Sequence, residues 1–318
     1  MESVPWGESM SNIGMTAARL KWGFIWLIGR SRGGRTFPVF PDDVFIVSYP
    51  RSGNTWMRFL IANLIYSEET ITFANIERKI PDVYKNTRRQ LLQTPRPRVL
   101  KSHEYFDPRY KKVIYIVRDP RDVAVSYYHF DRKRKKFGDG YPVDQYIARF
   151  IAGEVDDYGS WKENVASWLA TRQCSESFLL LRYEDMLEHG AAELTRVASF
   201  LGMERSSGQV ARAVELSSAD RMRDLEQKQA GIWVNTKKTR KDIPFVRVAN
   251  SGGWRSLLPE SLVAAIESAW GPLMESLGYD LVTIADRTLG LPRQGAGWEI
   301  PTETPTPVTA SQESKEDL

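Results

Sequence analysis

Short apolar runs alternate along the chain with longer stretches whose apolar positions recur at helical spacing. The runs at 43–48, 98–103, 111–117 and 177–183 read as buried strands. Helical spacing marks 55–66, 119–130, 143–151, 160–172, 191–201, 208–216, 260–270 and 272–278. Asp119 is placed to cap the second of these, and Pro120 to occupy its first turn, where a missing N–H costs nothing. A charged loop fills 133–142, and 220–250 is polar and basic with few periodic apolar positions. Strands alternating with helices predict an α/β fold, a single domain with a central parallel sheet flanked by helices. The expected division is an N-terminal segment 1–41, a domain 42–285 and a tail 286–318. The tail is rich in Pro, Thr, Ser and Glu and lacks the apolar content to offset ordering entropy, so disorder is expected there.

Composition narrows the function classes. The chain has 318 residues, 42% hydrophobic and 26% charged, an ordinary globular balance. A net charge of +4 suits an anionic ligand without requiring nucleic acid. The one cysteine, Cys174, excludes an internal disulfide and a cysteine-rich metal site and points to a reducing, cytoplasmic compartment. With three histidines a His-based metal centre is not expected, and no metal is assigned. The apolar stretch in "LKWGFIWLIGR", 20–30, is too short to span a membrane. A helix packed on the domain is the favoured reading of it. The alternatives are a lid over an apolar substrate and, less favoured, a peripheral membrane contact through 20–28.

The chemistry concentrates at "VSYPRSGNTWMRFLIANL", 47–64. Strand, tight polar turn and helix make an anion cradle of outward N–H groups at a helix N-terminus. Arg51 adds a fixed charge, Ser52 and Thr55 add hydroxyls, and Gly53 permits positive φ or close approach. The loop is not of the G-x-x-x-x-G-K-[ST] kind, so a magnesium-bound triphosphate is poorly served. Trp56 offers a flat face to a purine.

Several segments then carry a resemblance. "PRSGNTW" resembles the P-K-S-G-T-T-W loop of the sulfotransferases that use 3′-phosphoadenosine 5′-phosphosulfate (PAPS). "IYIVRDPRDVAVSYYHF", 114–130, is similar to that family's R-x-x-x-D-x-x-V-S-x-x-x-F signature, and "LKSHEYF", 100–106, to its K-T-H segment. "YGSWKENVASWL", 158–169, "LLLRYEDM" and "FVRVANSGGWRSLL", 245–258, resemble further family segments in the same order. The likeness runs from about 42 to 280 and is nearest the soluble branch that sulfates small molecules.

The resemblance implies a P-loop-kinase-like fold, PAPS as co-substrate, and roles for particular residues. Arg51, Ser52, Gly53, Asn54 and Thr55 would surround the 5′-phosphosulfate, and Trp56 would stack on adenine with Tyr183 nearby. Arg118 and Ser126 would hold the 3′-phosphate, completed by Arg247 and backbone near Ala249. A salt bridge to Asp119 or Asp122 is the plain alternative for Arg118. Val248 and Ala249 stand where the family has Lys-Gly, which removes one positive charge; Lys237, Lys238, Arg240 and Lys241 are the nearby cations that would compensate. His103 is the expected general base, because a histidine takes a proton near neutrality. Lys101, two residues earlier on the same side of an extended segment, would steady the sulfuryl group or orient the base. Arg51 would replace the family's lysine at the leaving oxygen. The acceptor is expected to be a hydroxyl or amine of a small, lipophilic molecule, an alcohol or phenol rather than a polysaccharide. "RSLLPESLVA" does not match the family's dimer patch, which leaves the oligomer open. The competing readings are a PAPS-binding module without catalysis and a P-loop nucleotide kinase.

Overall fold

A computed structural model describes residues 33–229, 231–247 and 249–283. The apolar stretch 20–28, Val248 and the tail from 286 lie outside the described residues. Four parallel strands, β1 (Val44–Ser48), β2 (Val99–Ser102), β3 (Lys112–Val117) and β4 (Phe178–Arg182), form a sheet in the order β2-β1-β3-β4. All four expected strands are present within a residue or two of their expected limits.

The sheet is buried on both faces because successive side chains point to opposite sides. Phe45, Val47, Val113 and Tyr115 enter one core with Trp161, Trp168 and Trp270. Val44, Ile46, Ile114 and Ile116 enter the other with Met57, Ile61 and Val197. The first face is covered by α4 (Pro120–Lys133), α5 (Val143–Ile151), α6 (Trp161–Arg172) and α12 (Glu260–Ser276). The second carries α1 (Asn54–Ile65), α8 (Gly190–Phe200) and α9 (Ser207–Leu216). Asp119 caps α4 by accepting from the Arg121 N–H, with Pro120 in the first turn, as its sequence predicts. Ser160 and Glu163 close a capping box on α6.

Short helices α2 (Ile76–Lys79), α3 (Arg88–Gln93), α7 (Tyr183–Glu188) and α11 (Trp254–Leu257) fill connections that carry no long periodic pattern. Two further departures have physical causes. Residues Ala219–Gln229 form a helix, α10, inside a stretch read as irregular; it buries Met222 and Glu226 and leaves most other positions polar. The expected pair 260–270 and 272–278 is one helix that continues through Pro272. The buried stripe Ile266, Trp270 and Met274 crosses the proline and anchors both halves on the core.

From β1 the chain moves outward to β2, and from β3 it moves the other way to β4. A crevice therefore opens at the C-terminal ends of β1 and β3, where open α/β sheets bind ligands.

Candidate active site

The crevice is a cavity of about 800 Å³ lined by the 50–56 turn, the ends of β2 and β3, α4, and the 245–257 segment. After β1 the chain turns sharply: Arg51 has φ 72° and Gly53 φ 97°, both left-handed. Gly53 is required twice over, because a Cβ there would lie 2.6 Å from the Tyr183 ring. No side chain caps α1 and its first turn holds no acidic residue, so its N–H groups are open to an anion. Asn54 Nδ2 is spent on the Ile46 and Ser102 carbonyls and the Ser48 hydroxyl, tying β1 to β2. Ser52 is fully buried with an unpartnered hydroxyl, while Thr55 and Trp56 line the wall. Trp56 is fixed by Nε1 donating to the Ser217 carbonyl at 2.9 Å and by an edge contact to Tyr183. Gly53→Ala is expected to lose about 1–2 kcal/mol of stability from the left-handed backbone alone. It should also weaken nucleotide binding as Tyr183 is displaced; thermal melts with and without 3′-phosphoadenosine 5′-phosphate (PAP) check both.

Three arginines converge on one side of the cavity. Arg51 lies between the rings of Phe130 and Phe245, its Cζ 4.5 and 4.8 Å from their centroids, and its Nε donates to Ser126 Oγ at 3.1 Å. Burial, followed by the charge of Arg118, lowers its pKa to about 10, so it stays charged at neutrality. Its charge thus sits with Ser126. Arg118 stacks on Tyr183 at 4.2 Å and donates to the carbonyls of Arg51 and Asn250. Asp119 is taken by Arg121. Asp122, 3.9 Å from Arg118, spends its oxygens on the Gly252 and Trp254 N–H groups, which fixes the 250–254 turn. Arg247 lines the cavity, and burial with the charge of Arg118 lowers its pKa. Ala249 holds φ 50°, so the backbone keeps a left-handed turn that favours glycine. Of the nearby cations, Lys238 faces the cavity, whereas Arg240 pairs with Asp139 and Asp242 and Lys241 donates to the Thr236 carbonyl.

His103, Lys101, Asp82, Tyr84 and Tyr158 form the other side. His103 Nδ1 lies 2.8 Å from the Ser48 carbonyl, which can only accept, so Nδ1 carries the proton and Nε2 keeps its lone pair. The Asn164 amide holds the His103 carbonyl at 3.1 Å, and Tyr158 packs 5.5 Å from the imidazole. Burial, then the charge of Lys101, lowers the His103 pKa from 6.5 to about 3. The imidazole is therefore neutral at working pH but does not titrate near neutrality as the sequence suggests, and it is a weaker proton acceptor than a free histidine. Lys101 is ion-paired with buried Asp82 at 2.6 Å. Glu104, the next carboxylate along, is engaged by Arg35 and the Tyr84 hydroxyl. The other histidines stand apart: His129 is lowered to about 4 by burial and then Arg247, and His189 ends α7.

A depressed histidine makes folding pH-dependent. The neutral form of His103 contributes stability fully above pH 6.5 and loses it as pH falls toward about 3, because the unfolded chain binds the extra proton. The expected slope from this group is up to about 1.4 kcal/mol per pH unit in that window. Melting curves should be flatter in His103→Gln than in wild type between these limits.

Residues 41–278 match the family described as the sulfotransferase domain. The chain belongs to the sulfotransferase family. Sulfotransferase 1A1 of Bos taurus is 32% identical over 238 residues, covering 70% of this chain and 79% of the relative. Among solved structures, retinol dehydratase in complex with androsterone and the inactive cofactor PAP aligns with TM-score 0.65 at 21% identity, covering 77% of this chain and 84% of that one. Retinol dehydratase in complex with retinol and PAP gives TM-score 0.64 at 21% identity, with the same coverage. The shared fold is the one expected, and the kinase and non-catalytic readings give way to a PAPS-dependent sulfotransferase.

The cavity fits such a nucleotide. It offers an uncapped helix N-terminus, a purine-sized aromatic wall in Trp56 and Tyr183, three arginine cations, and an unpartnered buried Arg118 Nε. Sequence reasoning about this sulfotransferase missed Asp82, Tyr84, Tyr158 and the stacking partners Phe130 and Phe245. Phe130 and Phe245 close and open quoted motifs, which is a signal of a kind. Asp82 and Tyr84 lie in a stretch without periodicity, and the partner of Asp82 is nineteen residues away.

Proposed function

We propose that this sulfotransferase moves the sulfuryl group of PAPS to the hydroxyl of a small lipophilic acceptor, with His103 as general base. The observation that carries the proposal is the Nδ1 contact to the Ser48 carbonyl, which leaves Nε2 unprotonated at the cavity wall beside the anion-binding turn. PAPS supplies the sulfuryl group and a nucleotide phosphate as leaving group. His103 Nε2 takes the acceptor proton as the acceptor oxygen attacks sulfur in line. Arg118, Ser126 and Arg247 hold the 3′-phosphate, and the turn N–H groups and Lys101 face the negative charge that grows during transfer. Arg51 reaches the phosphates from the Ser126 side.

Tyr84, Tyr127, Phe130, Tyr158 and Leu257 give the cavity an aromatic and apolar wall, which favours an apolar body bearing one hydroxyl. The ligands of retinol dehydratase, androsterone and retinol, are alcohols of that kind. We also place the reaction in the cytoplasm, where the free, exposed thiol of Cys174 suits a reducing environment. Transfer of radiolabelled sulfate from PAPS to a panel of sterols, phenols and saccharides tests the reading. Sterols or phenols should be the better acceptors, and a preference for saccharides would overturn it.

A further inference from the structure

We propose that Asp82 is a positioning residue for sulfuryl transfer, holding the Lys101 ammonium charged and in place beside His103; this rests on the reading above. The segment around Asp82 adds to the free edge of β2: Lys101 N donates to the Pro81 carbonyl at 2.9 Å, and Val83 N donates to the Lys101 carbonyl at 3.1 Å. That bridge sets Asp82 against Lys101, and its Oδ2 meets Nζ at 2.6 Å. The other carboxylate oxygen accepts the Tyr84 N–H at 2.9 Å, so the carboxylate is clamped and does not swing with its partner. Lys101 and His103 are two residues apart at the end of one strand and face the same cavity.

An ammonium there needs a counter-ion. The Asp82 side chain is fully buried and that of Lys101 is 9% exposed. Lys101 faces Asp82, Glu77, Arg58 and His103, with the Tyr84 ring 5.9 Å away. Glu77 is shared with Arg58, whose side chain is also fully buried. Asp82 is therefore the carboxylate in direct contact with Lys101, and without it two buried cations would share Glu77. Burial holds the Lys101 pKa below the ordinary lysine value, and the charge and hydrogen bond of Asp82 oppose that lowering. A deprotonated lysine loses the charge that attracts the sulfuryl oxygens and donates to them only weakly, so the pair sets the alkaline limit of the reaction.

Competitive labelling with acetic anhydride across pH, read by mass spectrometry, reports the protonation of Lys101 without any acceptor. In the wild-type protein Lys101 should remain protonated at neutral pH; finding it deprotonated there overturns the proposal and needs no variant. In Asp82→Asn its titration should move to lower pH by at least about one unit, and Asp82→Glu should restore it. With PAPS and 2-naphthol as probe, the alkaline limb of kcat should move by the same amount. The rate deficit should be largest on the alkaline side and shrink as pH is lowered, because His103 stays neutral well below 6. An equal loss at every pH, or an unmoved Lys101 titration, would show Asp82 to be structural only. Failure of the wild-type protein to sulfate any hydroxyl acceptor would count against the acceptor reading, while the labelling would still decide the pair.

Discussion

His103→Ala is expected to slow transfer to an aliphatic alcohol by about 10²–10⁴-fold, the usual size of a general-base contribution. The expectation follows from how the imidazole is held. Its Nδ1 proton is committed to the Ser48 carbonyl, and the ring is kept neutral by burial and by Lys101. An aliphatic hydroxyl must lose its proton as it attacks, and without Nε2 that proton goes to water at a higher barrier. PAP affinity should be nearly unchanged, because the residues proposed to hold the nucleotide are Arg51, Arg118, Ser126 and Arg247, which line the opposite side of the cavity. A nitrophenol is largely ionised before it binds, so its rate should fall much less. The wild-type acid limb should also lie well below pH 6, since a base lowered to about 3 remains unprotonated there. A mutant that sulfates an aliphatic alcohol at near wild-type rate would dismiss the assignment. Glu104 is a poor substitute, being already engaged by Arg35 and Tyr84.

What the sequence makes legible here is whatever its own neighbours determine. Asp119 and Pro120 announce the start of α4 because capping is settled within a few residues. The turn after β1 is legible for the same reason: the positive φ of Gly53 and the open N–H groups are local properties, whereas the left-handed Arg51 is not announced by its residue type. Direction is another matter. The sequence places Arg51 in the turn but not its guanidinium, whose course is set by Phe130, Ser126 and Phe245, all distant along the chain. Asp82 shows the limit most clearly, since its meaning depends on an edge bridge to Lys101 that no periodicity announces. The helix Ala219–Gln229 escaped because few of its side chains are buried, so there is little apolar stripe to find. Pro272 misled in the other direction: a local breaker was overridden by packing on both sides of it.

Arg118→Ala should weaken PAP binding by about 1.5–3 kcal/mol, the scale of hydrogen bonds to a charged group, or about 10- to 150-fold in Kd. Arg118 leaves the C-terminal end of β3 and points into the crevice, with Nε buried and unpartnered. Its other nitrogens donate to the carbonyls of Arg51 and Asn250, and its plane lies on Tyr183. Those contacts raise a rival explanation, in which the arginine merely braces two loops. The two differ in what the nucleotide must carry. A brace lost would loosen the whole pocket and weaken PAP and AMP alike. A phosphate clamp lost would weaken PAP and leave AMP, which lacks the 3′-phosphate, nearly as before. Calorimetry with both nucleotides on wild type and Arg118→Ala separates the two, and rising salt should weaken PAP more in the wild type than in the variant. Arg118→Lys should recover part of the loss, since it restores a charge but not the fork that spans carbonyl and phosphate. Equal affinity of the wild-type protein for PAP and AMP would remove the clamp altogether, and with it the proposed hold of Arg118, Ser126 and Arg247 on the 3′-phosphate.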